Sequence, residues 1–250
     1  MKIIYKIKLH PFFYLVALLT IVTGYFKEFS LFLIIILFHE LGHITAGILF
    51  KWQIKQINVL PFGAITIFDE GLTKPLIEEF IIAIMGPLFQ IVIYNLLKYN
   101  YDIKFIHYSL LIFNLLPIIP LDGSKIINVI FNTFFPFKSS LILTNILSLL
   151  LIVTLFIISC FSGFNLVFLL IILFLLVKIF DEIKNRSYIL NKFFYEKYYL
   201  PKKYKKIKTI TGENINNMYK EYNHIFKVKN IYYTEREILR KRFDFKGKLW

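Results

Sequence analysis

Six apolar segments alternate with short polar breaks along the first 180 residues. They lie at about residues 11–26, 29–50, 77–97, 104–120, 139–159 and 164–180. Each is close to the roughly 20 residues that a helix needs to cross the hydrocarbon of a bilayer. Charged or turn-forming residues separate them, such as Lys27-Glu28 and "LDGSK" at 121–125. The pattern predicts an all-α multi-pass membrane protein with about six transmembrane helices.

Residues 51–76, between the second and third apolar segments, have the pattern of neither a span nor an ordinary loop. "INVLPFGAITIF" at 57–68 is rich in β-formers and carries a Pro-Phe-Gly turn signal at its centre. It predicts a short membrane-associated β-hairpin that turns at Pro61, Phe62 and Gly63. A surface loop anchored by its Phe and Ile side chains is the alternative.

Composition supports the membrane assignment and excludes other classes. The 250 residues are 57% hydrophobic, with a mean hydropathy of +0.63, which is more apolar than a soluble domain of this length. The single cysteine, Cys160, excludes a disulfide framework and a Cys-based metal site. No small-residue cleavage site follows the basic N-terminus, so the first apolar segment is predicted to be a span and not a signal peptide.

The net charge of +14 is concentrated behind the last apolar segment. Residues 181–250 hold 18 Lys/Arg against 8 Asp/Glu. A basic segment directly after a span is typical of a cytoplasmic tail beside anionic lipid, so we expect a lipid partner and no nucleic acid. The Lys/Arg bias of the loops places both termini in the cytoplasm. We predict a transmembrane domain over 1–180 and a small basic cytoplasmic tail over 181–250.

Three ionisable residues interrupt the second apolar segment, "LIIILFHELGHITAGILF" at 33–50. His39 and His43 are four residues apart, so on a helix they share one face. With Glu40 they form the H-E-x-x-H pattern, in which two imidazoles bind a divalent metal and the glutamate is a general base. A hydrogen-bonded histidine pair at a helix interface is the alternative. The rarity of ionisable groups within membrane spans favours the metal.

A third ligand is needed, because catalytic zinc typically takes three protein ligands and leaves one position open. Asp122, in "NLLPIIPLDGSK" at 114–125, is the candidate. Pro117 and Pro120 break the fourth segment and Gly123 permits a turn, which would let Asp122 project inward. An aspartate that caps a short helix is the alternative. The remaining histidines are expected at an interface or on the surface: His10, His107 and His224.

Three motifs in different segments carry a resemblance. They are "FHELGH" at 38–43, "MGPLFQ" at 85–90 and "NLLPIIPLDG" at 114–123. Together they resemble the site-2 protease family (peptidase M50) of intramembrane zinc metalloproteases. Three further stretches resemble its stage IV sporulation protein FB branch: "LHPFFYL" at 9–15, "LPFGAITIF" at 60–68 and "PLDGSK" at 120–125. The resemblance covers about residues 8–200.

This resemblance implies a complete active site. It implies one Zn²⁺ per chain on His39, His43 and Asp122, with Glu40 as the base, in a metalloprotease domain over 1–180. It implies an edge strand at 57–66 that holds an extended substrate, and a motif that packs beside the site. The residues assigned to these roles are Asn114, Pro61, Phe62 and Gly63 for substrate and Gly86 with Pro87 for packing. For Asn114, an interhelical hydrogen bond is the alternative.

The resemblance also implies a biological setting. The substrate would be a membrane-associated regulatory protein, such as a sporulation sigma-factor precursor, and inhibitory membrane proteins would be partners. The location would be the cell membrane, and the membrane around the forespore if the role is specific to sporulation. The tail would resemble the start of a nucleotide-sensing CBS domain. The alternatives are a housekeeping or stress-signalling protease and a catalytically silent metal-binding scaffold.

Overall fold

The computed structural model describes residues 6–9, 11–60, 63–68, 71–97, 101–161, 166–202 and 204–244. Over these residues the chain is mostly helical, with two small three-stranded sheets. The helices are α1 (Pro11–Val22), α2 (Phe26–Leu49), α3 (Leu76–Leu97), α4 (Tyr101–Leu115), α5 (Asp122–Phe134), α6 (Phe137–Phe161), α7 (Leu166–Tyr199) and α8 (Glu235–Phe243). The strands are β1 (Lys6–Leu9), β2 (Ile54–Leu60), β3 (Gly63–Phe68), β4 (Ile207–Thr211), β5 (Asn223–Val228) and β6 (Ile231–Thr234).

Three helices in the described part of the chain are long and apolar enough to cross a membrane. They are Phe26–Leu49, Leu76–Leu96 and Phe137–Phe161. The apolar helices Phe13–Val22 and Ile103–Leu115 are shorter. The prediction of a mostly helical chain with apolar helices long enough to span a membrane is confirmed, and the count of six spans stays a prediction.

The chain divides into two compact units. The first comprises Met1–Glu70, Ile77–Leu116 and Leu121–Gly123, and the second Gly71–Leu76, Pro117–Pro120 and Ser124–Trp250. The predicted boundary between a domain over 1–180 and a tail over 181–250 stays a prediction.

In the first unit, the predicted hairpin is present as β2 and β3. The two strands pair antiparallel, from Ile54 opposite Phe68 to Leu60 opposite Gly63, and β1 adds in parallel on the other side of β2. The sheet order β1-β2-β3 therefore puts β2 in the centre. The expectation that residues 57–66 form a single edge strand is therefore wrong. The described residues of this stretch belong to two strands, the central strand β2 and the edge strand β3.

Helix α2 is the central helix of the first unit and contacts α1, α4 and β3. Ile35 and Ile36 pack against Leu110 of α4 in a small apolar cluster. Further along α2, Ala46 is fully buried, and Gly47 lies directly against the Phe68 ring of β3. The missing side chain of Gly47 thus lets β3 approach the backbone of α2 closely.

In the second unit, α6 supports the break between α4 and α5. As predicted, the helix of the fourth apolar segment ends before Pro117 and Pro120. The hydroxyl group of Ser148 on α6 contacts the backbone of the non-helical residues that follow it. Ser148 Oγ accepts a hydrogen bond from the Ile119 N–H at 3.2 Å and lies 3.3 Å from the Pro117 carbonyl oxygen. Helix α5 was absent from the predicted spans because it is amphipathic and too short to cross a bilayer.

Residues 204–244, the described part of the tail that follows α7 and its C-terminal turn, pack as a small α/β layer on the ends of α6 and α7. Strand β5 is central, parallel to β4 and antiparallel to β6, and a capping box formed by Thr234 and Glu237 begins α8. The tail residues of the shared core are Ile210, Met218, Phe226, Ile238 and Leu239, and those of α6 and α7 are Phe137, Leu141, Leu190, Phe193, Phe194 and Tyr198. The tail therefore buries its apolar face against the helices instead of standing alone.

The segment that leads into α3, residues 71–76, is held by hydrogen bonds to Glu196 of α7 and to residues that follow α7. The buried Glu196 carboxylate accepts from the Thr73 N–H at 3.1 Å and from its hydroxyl at 3.3 Å. Lys202 donates to the Thr73 carbonyl at 3.0 Å, and the Leu76 N–H donates to Glu221 at 2.7 Å. We call this set of contacts the α3 anchor.

A second buried polar group lies within the tail, contrary to the expected surface position of His224. His224 Nε2 accepts from the Tyr219 N–H at 2.9 Å, and its Nδ1 lies 3.0 Å from the Glu235 carboxylate. This arrangement suits the neutral ring with its proton on Nδ1. Burial lowers the pKa of His224, against the raising influence of Glu235.

Candidate metal centre

Helix α2 places the histidine pair where the H-E-x-x-H pattern predicts. His39 and His43 are buried one turn apart on the same face, and their Nε2 atoms lie 3.1 Å from each other. Glu40, between them in sequence, is buried as well. Each of these three residues offers a potential ligand atom within 4.8 Å of the others. Helix α2 alone therefore brings three potential metal-binding groups together: His39, Glu40 and His43.

Asp122 completes the cluster from the start of α5. Its Oδ2 lies 2.9 Å from His39 Nε2 and 3.1 Å from His43 Nε2. Three ligands of a tetrahedral zinc, with bonds of about 2.0–2.2 Å, are separated from one another by roughly 3.3–3.5 Å. The three predicted ligand atoms thus form a triangle only slightly smaller than one face of such a tetrahedron, and the His₂Asp donor set suits zinc.

The outer nitrogen of each imidazole meets a hydrogen-bond partner on α3. His43 Nδ1 lies 2.7 Å from the carbonyl oxygen of Ile82, which can only accept. Its proton is therefore on Nδ1, and the Nε2 lone pair points towards Asp122 and His39. His39 Nδ1 lies 3.0 Å from Oε1 of Gln90. Both rings are thus oriented by a second layer of contacts, which is the usual arrangement around metal-binding histidines.

Glycines at the contacts between helices allow this convergence. A Cβ at Gly86 would collide with Nε2 of His43 and approach that of His39 to 2.8 Å. A Cβ at Gly42 would collide with the Met85 carbonyl of α3, and one at Gly123 with the Leu115 carbonyl at the end of α4. Pro87 follows Gly86 inside α3. Gly86 of the predicted motif therefore lies directly against the imidazoles, whereas the packing role of Pro87 stays a prediction.

Glu40 also contacts the sheet. The Thr66 hydroxyl of β3 donates a hydrogen bond to Oε2 of Glu40 at 2.5 Å, and both residues are buried. Since β3 is an edge strand, this contact links the predicted base to the strand on which an extended peptide would add. The sequence pattern gave no signal for Thr66, because its role depends on the register of the hairpin.

The predicted substrate residues are less completely placed. Asn114 is half-buried on α4, one residue before the helix ends. Gly63 begins β3 opposite Leu60. Pro61 and Phe62 lie outside the described residues. The cluster thus unites His39, Glu40, His43 and Asp122, and it leaves the substrate roles as predictions.

Two residues near the cluster were missed or misjudged from the sequence. Gln90 stands in the quoted "MGPLFQ" motif without a predicted role, yet it is fully buried against His39. His107, expected at an interface, is buried on α4 with its ring stacked on Tyr94 at 4.0 Å. An isolated glutamine in an apolar helix was the available signal, because an amide inside a membrane requires a partner.

The sequence of this chain is similar to those of known peptidases. Residues 28–101 match the family model described as Peptidase family M50. The chain is 35% identical over 215 residues to Stage IV sporulation protein FB of Bacillus subtilis, covering 80% of this chain and 73% of that protein. The chain belongs to peptidase family M50. Membership confirms the resemblance seen in the motifs and the prediction of a metalloendopeptidase.

Two further similarities are to Methanocaldococcus jannaschii, one in sequence and one in structure. The chain is 33% identical over 144 residues to a zinc metalloprotease of Methanocaldococcus jannaschii, covering 51% of this chain and 42% of that protein. The solved structure of a site-2 protease from the same organism superposes with a TM-score of 0.58 at 24% identity, over 73% of this chain and 93% of the other. The latter establishes that the two share a fold.

Proposed function

We propose that this M50 peptidase holds one zinc ion on His39, His43 and Asp122 and uses Glu40 as its general base to hydrolyse a peptide bond. The main support for this proposal is that three ligand atoms lie within 3.1 Å of one another beside a buried glutamate. They are His39 Nε2, His43 Nε2 and Asp122 Oδ2. When bound, zinc supplies a Lewis acid for the scissile carbonyl and lowers the pKa of a coordinated water to about 7.

The protein's own residues supply proton transfer and orientation. Glu40 accepts the proton of the attacking water and delivers it to the leaving amine, as the glutamate of an H-E-x-x-H helix does. Thr66 holds one oxygen of that carboxylate at 2.5 Å, which leaves the other oxygen for the water. Gly86 keeps the space beside both imidazoles clear of side chain.

The substrate enters as an extended strand. A helical peptide hides its carbonyls in its own hydrogen bonds, so a peptide must unwind before it is cut. Strand β3 offers its outer edge for main-chain pairing, since its inner edge is used by β2. In this proposal Gly63 and the neighbouring Pro61 and Phe62 guide the substrate strand, and Asn114 hydrogen-bonds its backbone.

The substrate is a membrane-associated regulatory protein. The name of the Bacillus subtilis relative, Stage IV sporulation protein FB, supports a sporulation role, in which the substrate is a sigma-factor precursor. Inhibitory membrane proteins are proposed as partners in that setting. A housekeeping or stress-signalling role would keep the same chemistry with another substrate.

We place the enzyme in the cell membrane with six spans and both termini in the cytoplasm, in the forespore-surrounding membrane if it serves sporulation. Large apolar side chains exposed along the helices support burial in lipid, among them Leu96, Phe105 and Phe161, each more than two-thirds exposed. The basic tail then lies beside anionic lipid.

The decisive experiment compares two conservative variants of the full chain with a control on the same helix. Glu40→Gln should retain bound zinc and abolish cleavage of a co-expressed membrane-associated substrate, because it keeps the shape of the base and removes its proton acceptor. Asp122→Asn should lose zinc and activity together. Glu28→Gln, in the first turn of α2, should change neither.

Zinc is counted by elemental analysis of purified protein and cleavage by electrophoresis of the substrate. Substantial cleavage by Glu40→Gln would contradict the assignment of the base. Wild-type zinc content and cleavage in Asp122→Asn would remove Asp122 from the site.

A further inference from the structure

The side chain of Gln90 on α3 forms hydrogen bonds to two other helices, α2 and α4, next to the metal centre. This side chain is fully buried. Its Oε1 lies 3.0 Å from His39 Nδ1 on α2, and its Nε2 lies 2.9 Å from the main-chain carbonyl oxygen of His107 on α4. A buried amide is costly unless both of its ends are paired, and here both are.

The His107 carbonyl fixes which way round the Gln90 amide sits. A carbonyl oxygen only accepts hydrogen bonds, so the amide nitrogen must face it and the amide oxygen must face His39. An amide oxygen also only accepts, so His39 Nδ1 must carry the hydrogen of this contact. The neutral ring has one N–H, which leaves the Nε2 lone pair of His39 directed at Asp122 and His43.

The two imidazoles are thus oriented by different means. His43 gives its Nδ1 proton to a main-chain carbonyl, that of Ile82, which no side-chain substitution removes. His39 depends on one side chain, Gln90, which in turn is held by main chain of α4. His39 is therefore the ligand whose orientation a single substitution behind the site can change.

We infer that Gln90 is a positioning residue for zinc binding, which fixes the tautomer and ring direction of His39 through the chain from the His107 carbonyl to the Gln90 amide to His39 Nδ1. This inference rests on the proposed zinc site. Gln90 does not touch the reacting atoms and acts only through His39. Loss of such an outer-layer partner typically lowers metal affinity by about 10- to 100-fold.

The test measures zinc affinity in the full chain, without reference to proteolysis. Zinc dissociation is measured by competition with a chelator in the Glu40→Gln background, where self-cleavage and substrate turnover are absent. Gln90→Leu removes both hydrogen bonds with little change in size. Gln90→Glu is the conservative variant, since a carboxylate oxygen still accepts from His39 Nδ1 and the protonated form can also donate to the His107 carbonyl.

The expected result is a loss of about 10- to 100-fold in zinc affinity for Gln90→Leu and a smaller loss for Gln90→Glu. The matched control is Asn95→Leu, which removes another amide from α3. Asn95 donates to the carbonyl of its own helix at Ile91, so its removal should leave zinc affinity unchanged. Where Gln90→Leu does not yield monodisperse protein, Gln90→Met replaces it.

Three outcomes overturn the inference. They are wild-type affinity in Gln90→Leu, equal losses in the leucine and glutamate variants, which would indicate packing alone, and an equal loss in Asn95→Leu. Failure of the zinc site itself is distinguishable, because the parent protein would then bind no zinc or bind it equally after His43→Ala. If the parent protein binds one zinc ion and Gln90→Leu has the same zinc affinity, only the role of Gln90 is contradicted.

Discussion

The contact between Thr66 and Glu40 leads to a prediction about the rate of the chemical step. The Thr66 hydroxyl on edge strand β3 donates to the Glu40 carboxylate at 2.5 Å, and both groups are buried. Thr66→Val removes the donor while it keeps the branched shape and the β-forming character of the side chain. The variant therefore isolates the hydrogen bond that orients the proposed base.

The structure allows the size of the effect to be worked out. A hydrogen bond to a charged group contributes about 1.5–3 kcal/mol. If all of this contribution serves to orient the base in the transition state, at about 1.36 kcal/mol per factor of ten the turnover rate falls by at most roughly 10- to 150-fold. Zinc content should not change, because Thr66 contacts the base and none of the three ligands appears among its hydrogen bonds.

The assay is cleavage of a reconstituted substrate by purified enzyme in lipid, with kcat and KM determined separately. The expected result is a lower kcat at constant zinc content, and Thr66→Ser, which retains the hydroxyl, should turn over close to the wild-type rate. A valine variant with wild-type kcat would refute the positioning of Glu40 by Thr66. A serine variant as slow as the valine variant would show that the methyl group matters instead.

Two further predictions concern the imidazole contacts and the tail. Gly86→Ala should lower zinc content, because its methyl group would occupy the space of the imidazole nitrogens, and elemental analysis showing full occupancy would contradict this. The pKa of His224 is lowered by burial, so the unfolded chain gains a proton near pH 6.5 that the folded tail takes up only at lower pH. Stability should therefore fall as the pH drops below about 6.5, and thermal unfolding of His224→Gln should show a weaker pH dependence.

The sequence revealed the parts of the site that are local. His39, Glu40 and His43 lie within five residues on one helix, so helical periodicity alone places them together. Asp122 is 79 residues beyond His43, and it was found because Pro117 and Pro120 mark broken backbone inside an apolar segment. The position of such a break is visible in sequence, since proline cannot continue the hydrogen-bond ladder.

The supporting contacts could not be predicted in the same way. Gln90 meets His39 and the His107 carbonyl only after three helices pack together, and no spacing rule connects residues on separate helices. Thr66 meets Glu40 only in one register of the hairpin, because a shift of one residue would turn the side chain to the other face. Periodicity describes single elements, whereas these contacts depend on how the elements pack.

The α3 anchor has a practical consequence for protein production. A fragment that ends at residue 180, which the change in composition suggests as a catalytic core, would lack the acceptors for the Thr73 and Leu76 amides. Both amides belong to the segment that begins α3, and Gly86, Gln90 and the Ile82 carbonyl all lie on that helix. A loss of activity after truncation would therefore not separate a regulatory tail from a structural one. Substitutions at Glu196 and Glu221 in the intact chain would make that distinction.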